Sequence, residues 1–344
     1  MKKIGVLFGQ ERAFPLALVD RIRQKAGDGR VHAEAVQVGG VNLETPKHYD
    51  LILDRISQDI PFYRAVLKKF AAEGTIVVNN PFWWSADDKF FNNVLARSIG
   101  VAVPKTVILP SNQHPPDTTS ASMSNLIYPL PWDEIFAHVG FPAYFKPYSG
   151  GGWKSVYRVT NPDDFFAAYR DSGQNVMTLQ EEIVFDEYFR CYAIGRKHVH
   201  IMRYDPRQPH VNRYVKDGKL VDEALESRVR SDCLKLVNAL GYDFDTLEFA
   251  VRDGVPYAID FLNPAPDADP ASVGQVNFEW VLDHAADWLI ERVMQSTQTT
   301  APYQWQELIA GPFTKTPPRN LVRKVPSGAG GGPVRRAPAS RPKE

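Results

Sequence analysis

Apolar positions over the first hundred residues switch between two periods. Ile4–Phe8 is a short apolar run, the pattern of a buried strand. Phe14, Leu18, Val19 and Ile22 recur at helical spacing over Phe14–Lys25, and Gly27 marks the stop. Val31–Val38 and Tyr49–Leu53 read as strands. Pro61 opens a helix with Phe62, Val66, Leu67 and Phe70 on one face, closed by Gly74, and Ile76–Asn79 is a further strand. Strands alternating with helices predict an open, mostly parallel α/β lobe. No GxGxxG follows the first strand, so a dinucleotide is not indicated. Ser85–Ser98 reads as a helix with Ser85 as N-cap and Asp87 and Asp88 in its first turn, ended by Gly100. Val101–Ile108 is extended. Pro110–Pro131, rich in Pro, Ser, Thr and Asn, reads as a long surface loop.

From Trp132 the pattern changes. A short helix leads to the strand Ala143–Lys146, a glycine-rich turn and a second strand, Lys154–Val159. Asn161-Pro162-Asp163-Asp164 starts a helix. Val176–Gln180, Tyr188–Ile194 and His198–Tyr204 are strands, and Ser227–Leu240 is an amphipathic helix with Gly241 at its end. Thr246–Val251 and Val255–Phe261 form a hairpin across Arg252-Asp253-Gly254. Phe278–Val293 is a last amphipathic helix. Hairpins with helices on one side predict α+β lobes built on antiparallel sheet. The tail from Lys315, with many Pro, Gly, Arg and Lys residues, is expected to be disordered. The expected division is 1–80, 81–180, 181–314 and the tail 315–344.

Composition narrows the function classes. The chain has 344 residues, enough for two or three packed lobes, with 40 basic and 40 acidic residues and no net charge. A protein built to grip a nucleic-acid backbone would be basic, so no nucleic-acid partner is expected. No apolar stretch reaches the ~20 residues that span a bilayer, so no membrane partner is expected and the expected compartment is the cytoplasm. Cys191 and Cys233 form no CxxC pair and read as small buried residues.

Two places carry candidate chemistry. Lys146-Pro147-Tyr148-Ser149-Gly150-Gly151-Gly152 sits between two strand signals. Consecutive glycines leave backbone N–H groups unshielded, and such a loop can close over phosphate oxygens, with Lys146 supplying a positive charge. A plain flexible hairpin loop has the same pattern. The P-loop order GxxxxGK[ST] is absent. In the late hairpin, the tight turn at Asp253-Gly254 sets Glu248 opposite Ile259 or Asp260. With Asn263 these carboxylates make an all-oxygen set suited to Mg²⁺, although solvated strand-end acids would look alike. Asp260 lies in an otherwise apolar run, where a buried acid needs a partner. Arg203 and Arg213 are candidates for holding a phosphate or an acceptor carboxylate, against the alternative of surface arginines. His198 and His200 share one face of a strand, and satisfied or exposed histidines fit them better than a catalytic or metal-binding pair.

Together these segments resemble the ATP-grasp superfamily, in the branch of D-alanine–D-alanine ligase and the ribosomal-protein glutamate ligases. Asp88-Lys89, followed by Gly100-Val101-Ala102-Val103-Pro104-Lys105-Thr106, is similar to that family's DK and glycine-proline-threonine segment. The resemblance makes Lys89 the first phosphate-side lysine and Lys146 the second. Ser149, Gly150, Gly151 and Gly152 become the phosphate cover. Gln180-Glu181-Glu182-Ile183 matches the hinge whose backbone reads adenine, and Glu187 falls where a carboxylate meets the ribose. Glu248 and Asp260 match the two magnesium carboxylates and Asn263 the asparagine after them, with one residue more than the family's acid-x-Asn. The resemblance implies an ATP-grasp fold, with an N-terminal parallel α/β lobe and two α+β lobes clasping ATP with Mg²⁺ or Mn²⁺. It implies a ligase that activates a small-molecule or peptide carboxylate as an acyl phosphate and joins it to an amine. A kinase on the same fold and an ATP-binding module without turnover are the alternatives. A homodimer is common in the resembled branch.

Overall fold

The computed structural model describes residues 1–27, 29–82, 88–209, 212–215 and 221–295. The expected N-cap Ser85, its neighbour Asp87 and the tail from Lys315 lie outside them. Three four-stranded sheets carry the fold.

The first sheet holds β1 (Lys2–Leu7), β2 (Val31–Ala35), β3 (Leu51–Asp54) and β4 (Ile76–Val78), all parallel, in the order β2-β1-β3-β4. Leu51–Asp54 is buried at every position, as a parallel strand covered on both faces must be. Helices α1 (Ala13–Ala26) and α2 (Pro61–Ala72) make the crossovers. The expected parallel α/β lobe is thus present.

The second sheet is antiparallel and holds β5 (Thr106–Leu109), β6 (Ala143–Pro147), β7 (Tyr157–Val159) and β8 (Met177–Glu181), in the order β5-β8-β6-β7. Helices α3 (Lys89–Ser98), α4 (Trp132–Val139) and α5 (Pro162–Asp171) accompany it. Asn161 caps α5, its side chain accepting from the Asp164 N–H at 2.9 Å. The N-cap of α3 is Asp88, which accepts from the Phe91 N–H at 2.8 Å, so the helix begins later than the sequence predicts. The long loop before α4 contains one 3₁₀ turn, Ser120–Met123.

The third sheet, also antiparallel, holds β9 (Glu187–Ile194), β10 (His198–Arg203), β11 (Phe244–Arg252) and β12 (Val255–Asp260), in the order β10-β9-β11-β12. One face packs on α6 (Glu223–Leu240) through Phe189, Cys191, Leu247 and Phe249. That helix starts four residues earlier than expected because Asp222 caps it, accepting from the Ala224 and Leu225 N–H groups at 3.1 Å. After the short α7 (Pro270–Val273), α8 (Gln275–Met294) covers the opposite face. It also returns to the first lobe, where Arg21 pairs with Glu279 at 2.8 Å and Lys25 with Asp287 at 2.8 Å. Phe14 and Ile22 of α1 therefore share one core with Val281 and Leu289 of α8. No helix among the described residues is long and apolar enough to cross a membrane.

Candidate functional site

A cleft of about 450 Å³ opens between the second and third sheets, within the usual range for small-molecule sites. Strand alternation fills its near wall. In β6, Ala143 and Phe145 point into the core, while Tyr144 and Lys146 line the cleft. The chain then turns through Ser149–Ser155, every residue of which faces the cleft. Gly150 and Gly152 have φ of 82° and 73°, a region open to glycine; Trp153 at 61° and Ser155 at 53° adopt it against their side chains. The loop meets α3 where the Lys89 N–H donates to the Tyr148 carbonyl at 2.8 Å. This tie brings the first lysine beside the second.

The far wall is built by β11 and β12. From the hairpin turn the pairing runs Arg252 with Val255 and on to Phe249 with Ala258. Unbroken, it would set Glu248 against Ile259. A bulge shifts the register so that Glu248 pairs with Asp260 instead. Bulges re-aim side chains in this way. Here the extra residue turns Asp260 away from Ala258's core-facing side and into the cleft with Glu248.

The charges converge at the cleft floor. Lys89 Nζ lies 3.2 Å from Asp260 Oδ1. Arg190 of β9 donates to Glu248 Oε1 at 2.8 Å and the Tyr188 hydroxyl to Glu248 Oε2 at 2.6 Å. Asp260 sits deep in the fold yet opens to the cleft, its side chain 48% exposed. Burial would raise its carboxyl, but Lys89 and then Lys146 outweigh it and hold it below its ordinary value. Lys146 makes no hydrogen bond or ion pair through its ammonium among the described residues. Burial first, and Lys89 second, push it down to about 8, against the pull of Asp260 and Glu248. An unpartnered cation under an open glycine loop, beside two carboxylates, suits a polyanion brought with a divalent cation.

Among the described residues no group of three or more His, Cys, Asp and Glu side chains gathers to hold a metal. Mg²⁺ does not need such a cage: one or two carboxylates plus substrate phosphates and waters satisfy it. Glu248 and Asp260 fit that requirement, since a carboxylate has about four lone-pair directions and Arg190 and Tyr188 use only two of those on Glu248.

Several expected residues sit elsewhere. Asn263 does not face the cleft: its N–H donates to Asp245 Oδ1 at 2.6 Å, and its side chain accepts from the Ala265 N–H at 3.3 Å. The residue inserted after Asp260 carries it past the floor. Arg203 and Glu187 pair with each other at 3.3 Å, and neither lines the cleft. Arg213 donates through Nε to the Gln208 carbonyl at 3.1 Å, and its guanidinium lies 5.5 Å from the Trp153 ring centroid. It meets the glycine loop from outside. Gln180, Glu181, Glu182 and Ile183 all line the cleft. Sequence reading missed Arg190. Its signal is a charged residue inside the apolar strand Tyr188–Ile194, where burial demands an anionic partner.

No protein-family model and no curated protein sequence matches the chain. Solved structures do. D-alanine–D-alanine ligase from Bacillus anthracis aligns over 86% of this chain and 98% of its own, with a TM-score of 0.59 and 18% identity. The RimK domain ATP-grasp protein from Sphaerobacter thermophilus aligns over 83% and 98%, with a TM-score of 0.59 and 16% identity. The ATP-grasp ligase PsnB, solved with a minimal precursor, Mg and ADP, aligns over 85% and 98%, with a TM-score of 0.55 and 15% identity. The chain has the ATP-grasp fold.

Proposed function

We propose that this chain is an ATP- and Mg²⁺-dependent ligase that activates a carboxylate as an acyl phosphate and joins it to an amine. The observation that carries the reading is the unpaired Lys146 ammonium, half-buried under the glycine loop and facing Glu248 and Asp260. The similar structures include a ligase of D-alanine and an ATP-grasp ligase solved with Mg and ADP, which supports the same class of chemistry.

In this reading the carboxylate oxygen of one substrate attacks the γ-phosphorus, the bond to the β-bridging oxygen breaks, and ADP leaves. The amine nitrogen of the second substrate then attacks the acyl carbon and phosphate departs, while the amine proton passes to solvent. Lys89 and Lys146 bind the phosphates and neutralise charge spreading over the transferring group. The backbone N–H groups of Ser149–Gly152 cover it and exclude water, which would hydrolyse the acyl phosphate. Glu248 and Asp260 would hold Mg²⁺, which would supply charge neutralisation to the phosphates. Arg190 and Tyr188 fix Glu248 in place.

The test is direct. The protein is incubated with Mg-ATP and a library of amino acids, short peptides and small carboxylates, and products are read by mass spectrometry. Amide product with stoichiometric ADP and phosphate is expected. A phosphorylated alcohol, or ATP binding without any ADP release across the library, would overturn it.

A further inference from the structure

The hinge between the second and third sheets is braced by ion pairs from both sides. Glu181 ends β8 and lines the cleft. Both of its carboxylate oxygens are engaged. Oε1 accepts from Arg252 Nη1 at 2.8 Å, and Oε2 accepts from the Lys105 N–H at 3.2 Å. Its own N–H donates to the Lys105 carbonyl at 2.9 Å. The next residue, Glu182, pairs with Arg158 of β7 at 2.9 Å. Downstream, the Asp186 N–H donates to the Val251 carbonyl at 2.9 Å, one residue before Arg252.

Arg252 is thus the side-chain strut that ties the hinge to the far sheet. It stands at the last position of β11, where the hairpin turns, and its guanidinium lies 4.9 Å from the Tyr257 ring centroid. A guanidinium held flat by a ring and a carboxylate has little freedom left to lose when a ligand binds. Arg252 does not line the cleft, so it has no ligand of its own to hold.

We propose that Arg252 is a positioning residue for nucleobase recognition. Acting through Glu181, it fixes the Glu182–Ile183 backbone against the third sheet, so that the Glu182 C=O and the Ile183 N–H are set for one base before the nucleotide arrives; the Glu182 N–H already donates to the Pro142 carbonyl at 3.3 Å. The inference rests on the nucleotide reading of the cleft. It goes further in making base affinity and base choice depend on a residue outside the cleft. Loss of the strut lets the hinge backbone shift, which weakens the preferred base and narrows the gap to others.

The experiment measures Kd for Mg-ATP and Mg-GTP by calorimetry, together with the melting temperature of the free protein. Wild type, Arg252→Met, Arg252→Lys and Glu181→Gln are compared. Wild type should bind Mg-ATP and prefer it to Mg-GTP. Arg252→Met should weaken Mg-ATP about tenfold, the low end of the scale of one charge-assisted hydrogen bond, and weaken Mg-GTP less. Arg252→Lys should recover most of the affinity, and Glu181→Gln should resemble Arg252→Met. If wild type binds Mg-ATP and Arg252→Met binds each nucleotide with the wild-type Kd, the strut is refuted while the nucleotide site stands. A lower melting temperature with unchanged affinities refutes it also, since that is a structural role alone. If wild type binds neither nucleotide, the reading of the cleft fails and the strut with it.

Discussion

Lys146→Met keeps an unbranched side chain in β6 and removes its ammonium. The folded protein holds that ammonium at about 8 against an ordinary 10.5. At about 1.4 kcal/mol per tenfold, keeping it charged at pH 7 costs at most about 3.5 kcal/mol. Water in the cleft screens the charge, so about 1–3 kcal/mol is the expected range. The sign follows from the depressed value. The advantage of the neutral amine is fully present above 10.5 and is lost as pH falls through about 8. At pH 7 wild type therefore carries the whole burden, and the variant escapes it.

Without nucleotide, Lys146→Met should melt a few degrees above wild type at pH 7, and the difference should close as pH rises toward 10.5. With Mg-ATP at a hundred times its Kd, wild type gains about 2.7 kcal/mol. The variant has lost the charge that faces the phosphates and should gain far less, so the order of melting reverses. The assay is thermal unfolding at pH 7 and pH 9.5, with and without Mg-ATP. A variant that melts below wild type without nucleotide, yet gains as much from Mg-ATP, would refute both the burial cost and the role of Lys146.

Asp260→Asn removes one of the two floor carboxylates and the ion pair to Lys89. Calorimetry should find Mg-ATP binding weakened tenfold or more, with little change in ATP binding measured in EDTA; an intact Mg²⁺ effect would count against the metal site. Asp245 is buried, its Oδ2 has no hydrogen-bond partner among the described residues, and burial first, then Asp260, raise its carboxyl well above the ordinary range despite the Asn263 N–H. The stability it contributes is present below its unfolded value and lost as pH rises through the folded one. Asp245→Asn should therefore gain on wild type in urea unfolding between pH 4 and pH 8, and a flat difference would dismiss the protonated carboxyl. Gly195, at φ 62°, leaves no room for a side chain, since a Cβ would lie 2.3 Å from the Trp288 ring. Gly195→Ala should cost about 3 kcal/mol or more, read as a lower urea midpoint.

The sequence was most legible where one period ruled a segment. The strands of the first lobe and the hairpin across Asp253-Gly254 follow from local pattern and turn chemistry alone. The start of α6 was available too, because Asp222 precedes a first turn carrying Glu223 and Glu226. Arg203 and Arg213 show the opposite case. Each is an arginine near the right place in the chain, but what a guanidinium touches is decided by strands paired far apart in sequence. Arg203 finds Glu187 across the β9–β10 hairpin, and Arg213 finds a tryptophan on the glycine loop. No local signal separates Arg203 from Arg190, since Arg203 too is flanked by apolar residues, Ile201, Met202 and Tyr204.

The floor of the cleft shows where local pattern stops deciding. Period-2 alternation counted back from Asp253-Gly254 puts Ile259 opposite Glu248 and sends Asp260 with Ala258 into the core against α6. A charged carboxyl there would face Leu247 and Phe249 with no cation in reach, at a cost of several kcal/mol. The bulge removes that conflict by spending one residue, and Asp260 gains Lys89 and the open cleft. The same residue bears on Asn263, which the longer spacing leaves to bond Asp245 and cap its own turn. An acid in an apolar strand therefore signalled two things at once: that a cation must be near, and that the strand could not be regular. Only the first was read from the sequence, and the second is what set Glu248 and Asp260 side by side.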